Sequence, residues 1–151
     1  MAKGKERQKQ RYIREMSIRE PIEKQQEHSI DNDIEWICDC LGLADKENDI
    51  ATDIFKELLR ATKDREGITT REIVEKEKTT KKVTQGAIVY HINMFMSHGL
   101  VIKQGTRYFL RSTSLNETME ELEEDMLRRM RKLRELAKHI DEEMERMFNE
   151  F

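Results

Sequence analysis

Proline occurs once in the 151 residues and glycine six times, so the chain has few of the breakers that punctuate sheet-rich folds. Long uninterrupted helices are the expected consequence. Tryptophan is also single, at Trp36, and the cysteines number two, Cys38 and Cys40, too few for a disulfide framework. No apolar run approaches the roughly 18 residues needed to span a bilayer. The charged N-terminus has no signal-peptide pattern, and the expected setting is the reducing cytoplasm, with no membrane partner. Catalytic signatures are missing as well: there is no Gly-rich phosphate loop, no GxSxG and no HExxH. The expectation is a protein that is not an enzyme and that needs no cofactor.

Charge is abundant, at 39% of residues against 36% hydrophobic. The net value of −3 hides an uneven distribution. Residues 1–30 carry a net +3, 31–66 carry −6, 67–114 carry +5 from 8 basic and 3 acidic side chains, and 115–151 carry −5. A basic block between acidic ones localises any attraction for a polyanion to residues 67–114.

That block contains the most informative stretch, Thr84 to Arg111. Thr84 is an N-cap residue type, and Ile88, Ile92, Phe95 and Met96 follow at spacings that form one face of a helix. Gln85, Gly86, Val89, Tyr90 and Asn93 are left on another face, open to a partner. Gly99 stops the helix. Leu100–Lys103 and Arg107–Arg111 then read as short strands around Gln104-Gly105-Thr106, where Gly105 supplies the positive φ of a tight hairpin. Upstream, Thr69 and Glu72 have capping-box spacing, and Ile73 and Val74 are the only apolar residues of a short helix that Thr79-Thr80 end. Two helices joined by a turn and followed by a basic hairpin predict a winged helix-turn-helix.

The remaining elements frame this head. Residues 1–28 read as a basic, polar tail with no core, either solubilising or adding phosphate contacts. Ser29 caps a helix with Ile30, Ile34, Ile37, Cys38 and Leu41 on its stripe, ending at Gly42, with Trp36 off that stripe. Asp45 is the expected cap of the next helix, whose Ile50, Ile54, Phe55, Leu58 and Leu59 form a stripe that stops around Gly67. The DNA-binding domain therefore covers 29–113.

From Ser114, which has capping-box spacing to Glu117, nothing breaks the helix as far as Phe151. Such a helix is about 50 Å long. Leu115, Met119, Leu122, Met126, Met130, Leu133, Ala137, Ile140, Met144, Met147 and Phe151 recur every three or four positions, a heptad seam with one stutter at Met126–Met130. The seam predicts a homodimer through Met119, Leu122, Met126, Met130, Leu133, Ala137, Ile140 and Met144, the alternative being a helix folded back on its own domain. Five methionines make the packing adaptable, so the a and d residues do not fix strand orientation.

On these residues the chain resembles archaeal winged-helix transcription regulators of the arsenical-repressor-like (ArsR-like) group. The resemblance runs from about Asp33 to Asp141, through LGL at Leu41–Leu43, GAIVYHINMFMSHGLV at Gly86–Val101 and YFLR at Tyr108–Arg111, to SLNETMEELEEDM at Ser114–Met126 and AKHID at Ala137–Asp141. It implies a homodimeric DNA-binding regulator with a C-terminal dimerisation helix. Members of the wider group often sense metals through a cysteine pair in or near the recognition helix, and this recognition helix has no cysteine.

From the residues themselves, Gln85, Tyr90 and Asn93 are the candidates for base-edge contact, since amides pair bidentately with adenine and tyrosine can meet a thymine methyl. Lys81, Lys82, Thr84, Lys103, Arg107 and Arg111 are the candidates for phosphate contact on double-stranded DNA. No metal site is expected: Cys38 and Cys40 are two apart on a helix, about 200° around its axis, and third and fourth ligands are lacking. His91 and His98, seven apart on the recognition helix, share a face suited to packing or phosphate contact. A protein-interaction adaptor is the competing function, because a winged helix does not by itself fix what it binds. Any effector, small molecule or metal, is left unnamed by the sequence.

Overall fold

The computed structural model describes residues 16–20, 29–43, 50–77 and 83–149. It is mainly helical with one small sheet. Five helices are described: α1 (Ile30–Cys40), α2 (Ile50–Lys63), α3 (Thr70–Glu77), α4 (Gln85–Ser97) and α5 (Leu115–Asn149). Two strands, β1 (Val101–Gln104) and β2 (Arg107–Leu110), form an antiparallel pair in which Val101 faces Leu110 and Gln104 faces Arg107. The chain divides into two compact units at Thr118/Met119.

The first unit holds an apolar core; in the second unit Leu122, expected on the dimer seam, is already buried in the single chain at 3% exposure. On α2, Ala51, Ile54, Phe55 and Leu58 are buried; α4 adds Ile88, Ile92 and Phe95, and the hairpin adds Val101, Ile102, Tyr108 and Leu110. Phe55 and Phe95 meet edge to face, with ring centroids 5.8 Å apart at 72°, so α2 and α4 are joined at the centre by an aromatic pair. Packing of α2 on α1, α4 and β2, and of α3 on α4, encloses this centre.

Local chemistry sets the boundaries. Ser29 accepts from the Asn32 amide at 3.1 Å and so caps α1. Thr69 and Glu72 form a reciprocal box: the Glu72 amide donates to Thr69 Oγ1 at 3.1 Å, and the Thr69 amide donates to Glu72 Oε2 at 3.4 Å. At the end of α4, Gly99 N–H donates to Met96 O and Leu100 N–H to Phe95 O, each at 3.0 Å. That pair of bonds is a Schellman closure, and it turns the chain straight into β1. Gly105 (φ 64) and Thr106 alone form the hairpin loop, with Gln104 already paired. A glycine in the first central position followed by a residue of negative φ suits a type II′ connection.

Several expectations need correction. Ile30, expected on the core stripe of α1, is the first residue of the helix and is 77% exposed. The helix α2 ends at Lys63 rather than near Gly67; Arg65 enters the left-handed region at φ 61, and Gly67 belongs to the loop beyond it. Met96 and Leu59 are half-buried instead of core. Residues 16–20, read as tail, are tied to the end of α1: the Arg19 amide donates to Cys40 O at 2.6 Å, and Ser17 Oγ donates to Leu41 O at 3.5 Å. Asp45, the expected cap of α2, lies outside the described residues.

The second unit is the remainder of α5. The helix starts on Ser114, whose Oγ accepts from the Glu117 amide at 3.1 Å, and runs unbroken for 35 residues. Glu117 directs its carboxylate to Thr113 Oγ1, so this box is closed on one side only. No helix among the described residues is long and apolar enough to cross a membrane.

Candidate nucleic-acid interface

Thr84 holds the start of α4 by accepting the Ala87 amide on Oγ1 at 3.2 Å, with its own backbone extended. The hydroxyl is thus engaged in capping. Burial of Ile88, Ile92 and Phe95 orients the helix, and at 100° per residue Gly86, Asn93 and Tyr90 fall within about 60° of arc on the other side. All three are exposed, Tyr90 by 61%. A Cβ at Gly86 would meet nothing within 4 Å, so the helix surface there is open and flat. Val89, expected on the open face, is half-buried.

Gln85 is exposed at the first position of α4, and its side-chain amide donates to Thr70 Oγ1 at 3.4 Å. The bond links the starts of α3 and α4. A base contact by Gln85 requires this weak bond to open, at a small cost for an exposed pair.

The basic candidates separate sharply. Lys103 on β1 is exposed, with its ammonium 5.6 Å from the Tyr108 ring centroid, a cation–π distance that holds it over the hairpin. Arg107 is turned toward the protein. Its guanidinium lies 3.2 Å from Glu72 Oε1 and donates to the carbonyls of Glu66 and Gly67 at 3.3 and 3.4 Å. These bonds commit part of its donor set to the protein, while the side chain remains 44% exposed. Arg111 is half-buried, with Nε and Nη1 shielded from solvent, which is the wrong disposition for a phosphate clamp. Lys81 and Lys82 lie outside the described residues.

A feature that sequence reading missed explains why Arg107 is held. Ile68 and Tyr108 exchange both backbone bonds, Ile68 N–H to Tyr108 O at 3.0 Å and Tyr108 N–H to Ile68 O at 2.8 Å. One residue of the α2–α3 loop therefore pairs with the outer edge of the hairpin, bringing Glu66, Gly67 and Glu72 to Arg107. Thr62 adds a second link: its Oγ1 accepts from the Leu110 amide at 3.1 Å while donating to Leu58 O.

Other charge is absorbed inside the first unit. Glu57 on α2 is buried and carries two cations, Arg60 at 2.6 Å and Lys76 of α3 at 3.3 Å. Removal of either cation would leave a buried carboxylate short of compensation.

His91 and His98, expected to pack or to touch phosphate, are half-buried and buried respectively. His98 is buried at the C-cap, with Nδ1 2.8 Å from Met94 O, which assigns the ring hydrogen to Nδ1. His91 is half-buried beside Tyr90, ring centroids 5.3 Å apart, and burial lowers its pKa from the ordinary value. Cys38 is fully buried, and burial, partly offset by a hydrogen bond with Thr52, raises its thiol to about 11; Cys40 is half-exposed. Among the described residues, no group of three or more His, Cys, Asp or Glu side chains is placed to hold a metal ion.

Comparison of the chain with protein-family models, with curated proteins and with solved structures returns no match.

Proposed function

We propose that this protein is a homodimeric, sequence-specific regulator of transcription in the cytoplasm, in which a winged helix-turn-helix of the ArsR-like kind docks α4 in the major groove of duplex DNA. One observation carries the reading: the face of α4 holding Gly86, Tyr90 and Asn93 is open to solvent, on a helix that in chain order follows a short, capped α3 and precedes a tight two-stranded hairpin. Asn93 and Tyr90 read base edges, with Gln85 joining them once released from Thr70. Lys103, together with Lys81 and Lys82, neutralises phosphate. Arg107 ties the hairpin to Glu72 and the α2–α3 loop and is a positioning residue, and half-burial sets Arg111 apart from the phosphate contacts.

This assignment changes the expected salt dependence. Three phosphate-facing lysines per subunit, six per dimer, set a ceiling near −5 for the slope of log affinity against log salt, from about −0.9 per neutralised phosphate. Five basic groups per subunit would give roughly −9. Titration of labelled random duplexes across a salt series measures the slope directly. Asn93→Ala should relax sequence preference by about 1–3 kcal/mol at one base position, while Lys103→Ala should weaken binding to all duplexes alike and lower the slope.

Engagement of Arg107 by Glu72 and the α2–α3 loop, beside an exposed Tyr90, also favours a second reading, a protein-interaction adaptor that uses the same face of α4. Absence of salt-dependent binding to any duplex at low ionic strength would decide for the adaptor.

A further inference from the structure

Beyond Met126, α5 carries an apolar stripe that the described residues leave exposed. Met130, Leu133, Ile140, Met144 and Met147 are each 45–58% exposed, and Leu127, Leu136 and Phe148 widen the stripe on its flanks. The seam of alternating three- and four-residue steps assigns Leu133, Ile140 and Met147 to d and Met130, Ala137 and Met144 to a. Leu127, Arg134, Asp141 and Phe148 are then successive e positions, and Arg129 and Leu136 are g positions. All four e residues are exposed.

We infer that the occupant of this stripe is α5 of a second copy running antiparallel, with the two-fold axis between Ala137 and Ile140. The inference rests on the homodimer proposed above and specifies how its helices meet. In an antiparallel pair, e positions face e positions, and this register places Arg134 against Asp141 of the second copy and Leu127 against its Phe148, each pair occurring twice. Along the seam, Leu133 meets the second copy's Met144, and Met130 meets its Met147. On the e flank charge lies against opposite charge and apolar against apolar, while the g flank sets Leu136 against Glu143 of the second copy. A parallel pair instead sets each g against the e five positions further on, which opposes Arg129 to the second copy's Arg134, again twice. Antiparallel registers one heptad away fail on the same flank: one shift opposes Arg134 to Arg134, and the other opposes Asp141 to Asp141.

Arg134 is the diagnostic residue because its own helix gives it no anion. Three and four positions away stand Met130, Arg131, Ala137 and Lys138. R134E therefore improves the charge pattern within the single helix, so a loss of association cannot come from a loss of helicity.

Sedimentation equilibrium of the full chain, without DNA, provides the test. Wild type should be a dimer, R134E should weaken it on the order of tenfold as two attractive contacts become repulsive, and R134E/D141K should restore it. A parallel dimer gives the opposite sign, since R134E would relieve the contact with Arg129 and tighten association. Tightening, no change, or failure of the double variant to restore the dimer would each overturn the antiparallel pairing while leaving homodimerisation standing. A wild-type monomer at micromolar concentration would overturn both, with the stripe then belonging to a helix of another protein. A dimer that fails to bind duplexes would leave this inference intact and remove the DNA reading alone.

Discussion

The two compact units use apolar residues in opposite ways. In the first, Ile54, Phe55, Leu58, Ile88, Ile92 and Phe95 are fully enclosed by neighbours from the same chain. In the second, the large apolar side chains from Leu127 to Phe148 are all at least 45% exposed. Propensity and capping explain how α5 forms, but burial of a continuous stripe is what holds a helix of this length in water. The difference teaches that the stability of the first unit is intramolecular, whereas under the proposed homodimer that of the distal helix depends on protein concentration.

The sharpest way to break this contrast is a matched pair of substitutions. Leu133→Glu removes two leucines from the proposed dimer seam, each worth about 1.5–3 kcal/mol when buried, and should weaken the dimer 100-fold or more while the first unit keeps its cooperative unfolding. Phe95→Ala should act the other way. Loss of its contact with Phe55 and the cavity left behind cost about 3–5 kcal/mol, a large share of a small domain's stability, with little effect on association. Sedimentation and urea denaturation of both variants would separate the two effects. If Leu133→Glu destabilised the first unit as much as Phe95→Ala, the two regions would not be independent.

Where the sequence was readable follows the same division between local and distant causes. Ser29, the Thr69/Glu72 box, Thr84 and Ser114 act within three residues of themselves, and each is found capping the helix it was expected to cap. The stripe of α4 and the Gly105 turn are equally local. The Ile68–Tyr108 pairing joins positions 40 apart and involves one residue of a loop, so it has no alternation to betray it. Arg107 reaches Glu72 across 35 positions for the same reason, and a residue read as a free cation became a bracket. On α5 the three- and four-residue apolar spacing is legible in the sequence, whereas the exposed Leu127, Leu136 and Phe148 fall outside that spacing.

A smaller effect examines the loop that this long-range pairing creates. Gly67 (φ 68) faces the Phe109 ring so closely that an added Cβ would lie 2.5 Å from Cζ, whereas Gly105 (φ 64) has nothing within 4 Å. Both glycines have positive φ, a backbone conformation alanine rarely adopts, so both substitutions carry a backbone cost. Only Gly67→Ala also collides with a ring. Gly67→Ala should therefore lower the midpoint of thermal unfolding more than Gly105→Ala. Equal losses would mean that the ring moves aside freely and that the bracket between loop and hairpin is loose.

The smallest effect concerns His91, which belongs to the first unit yet touches the proposed reading face through Tyr90. Burial depresses its pKa in the folded state, with Nδ1 enclosed and lacking a hydrogen bond. The sign follows from proton linkage: above the ordinary histidine value near 6.5, both folded and unfolded chains carry a neutral ring and nothing is lost. As pH falls below that value the unfolded chain takes up the proton first, so folded stability declines until the folded-state pKa is passed. The fall should begin above the range where carboxylates titrate. His91→Leu should flatten it, keeping an apolar body against the half-buried surface and removing the proton site. Midpoints of thermal unfolding between pH 7.5 and about 5.5 provide the measurement. An unchanged slope in the variant would show that His91 does not carry this dependence, and that protonation beside Tyr90 is not coupled to the folding of the first unit.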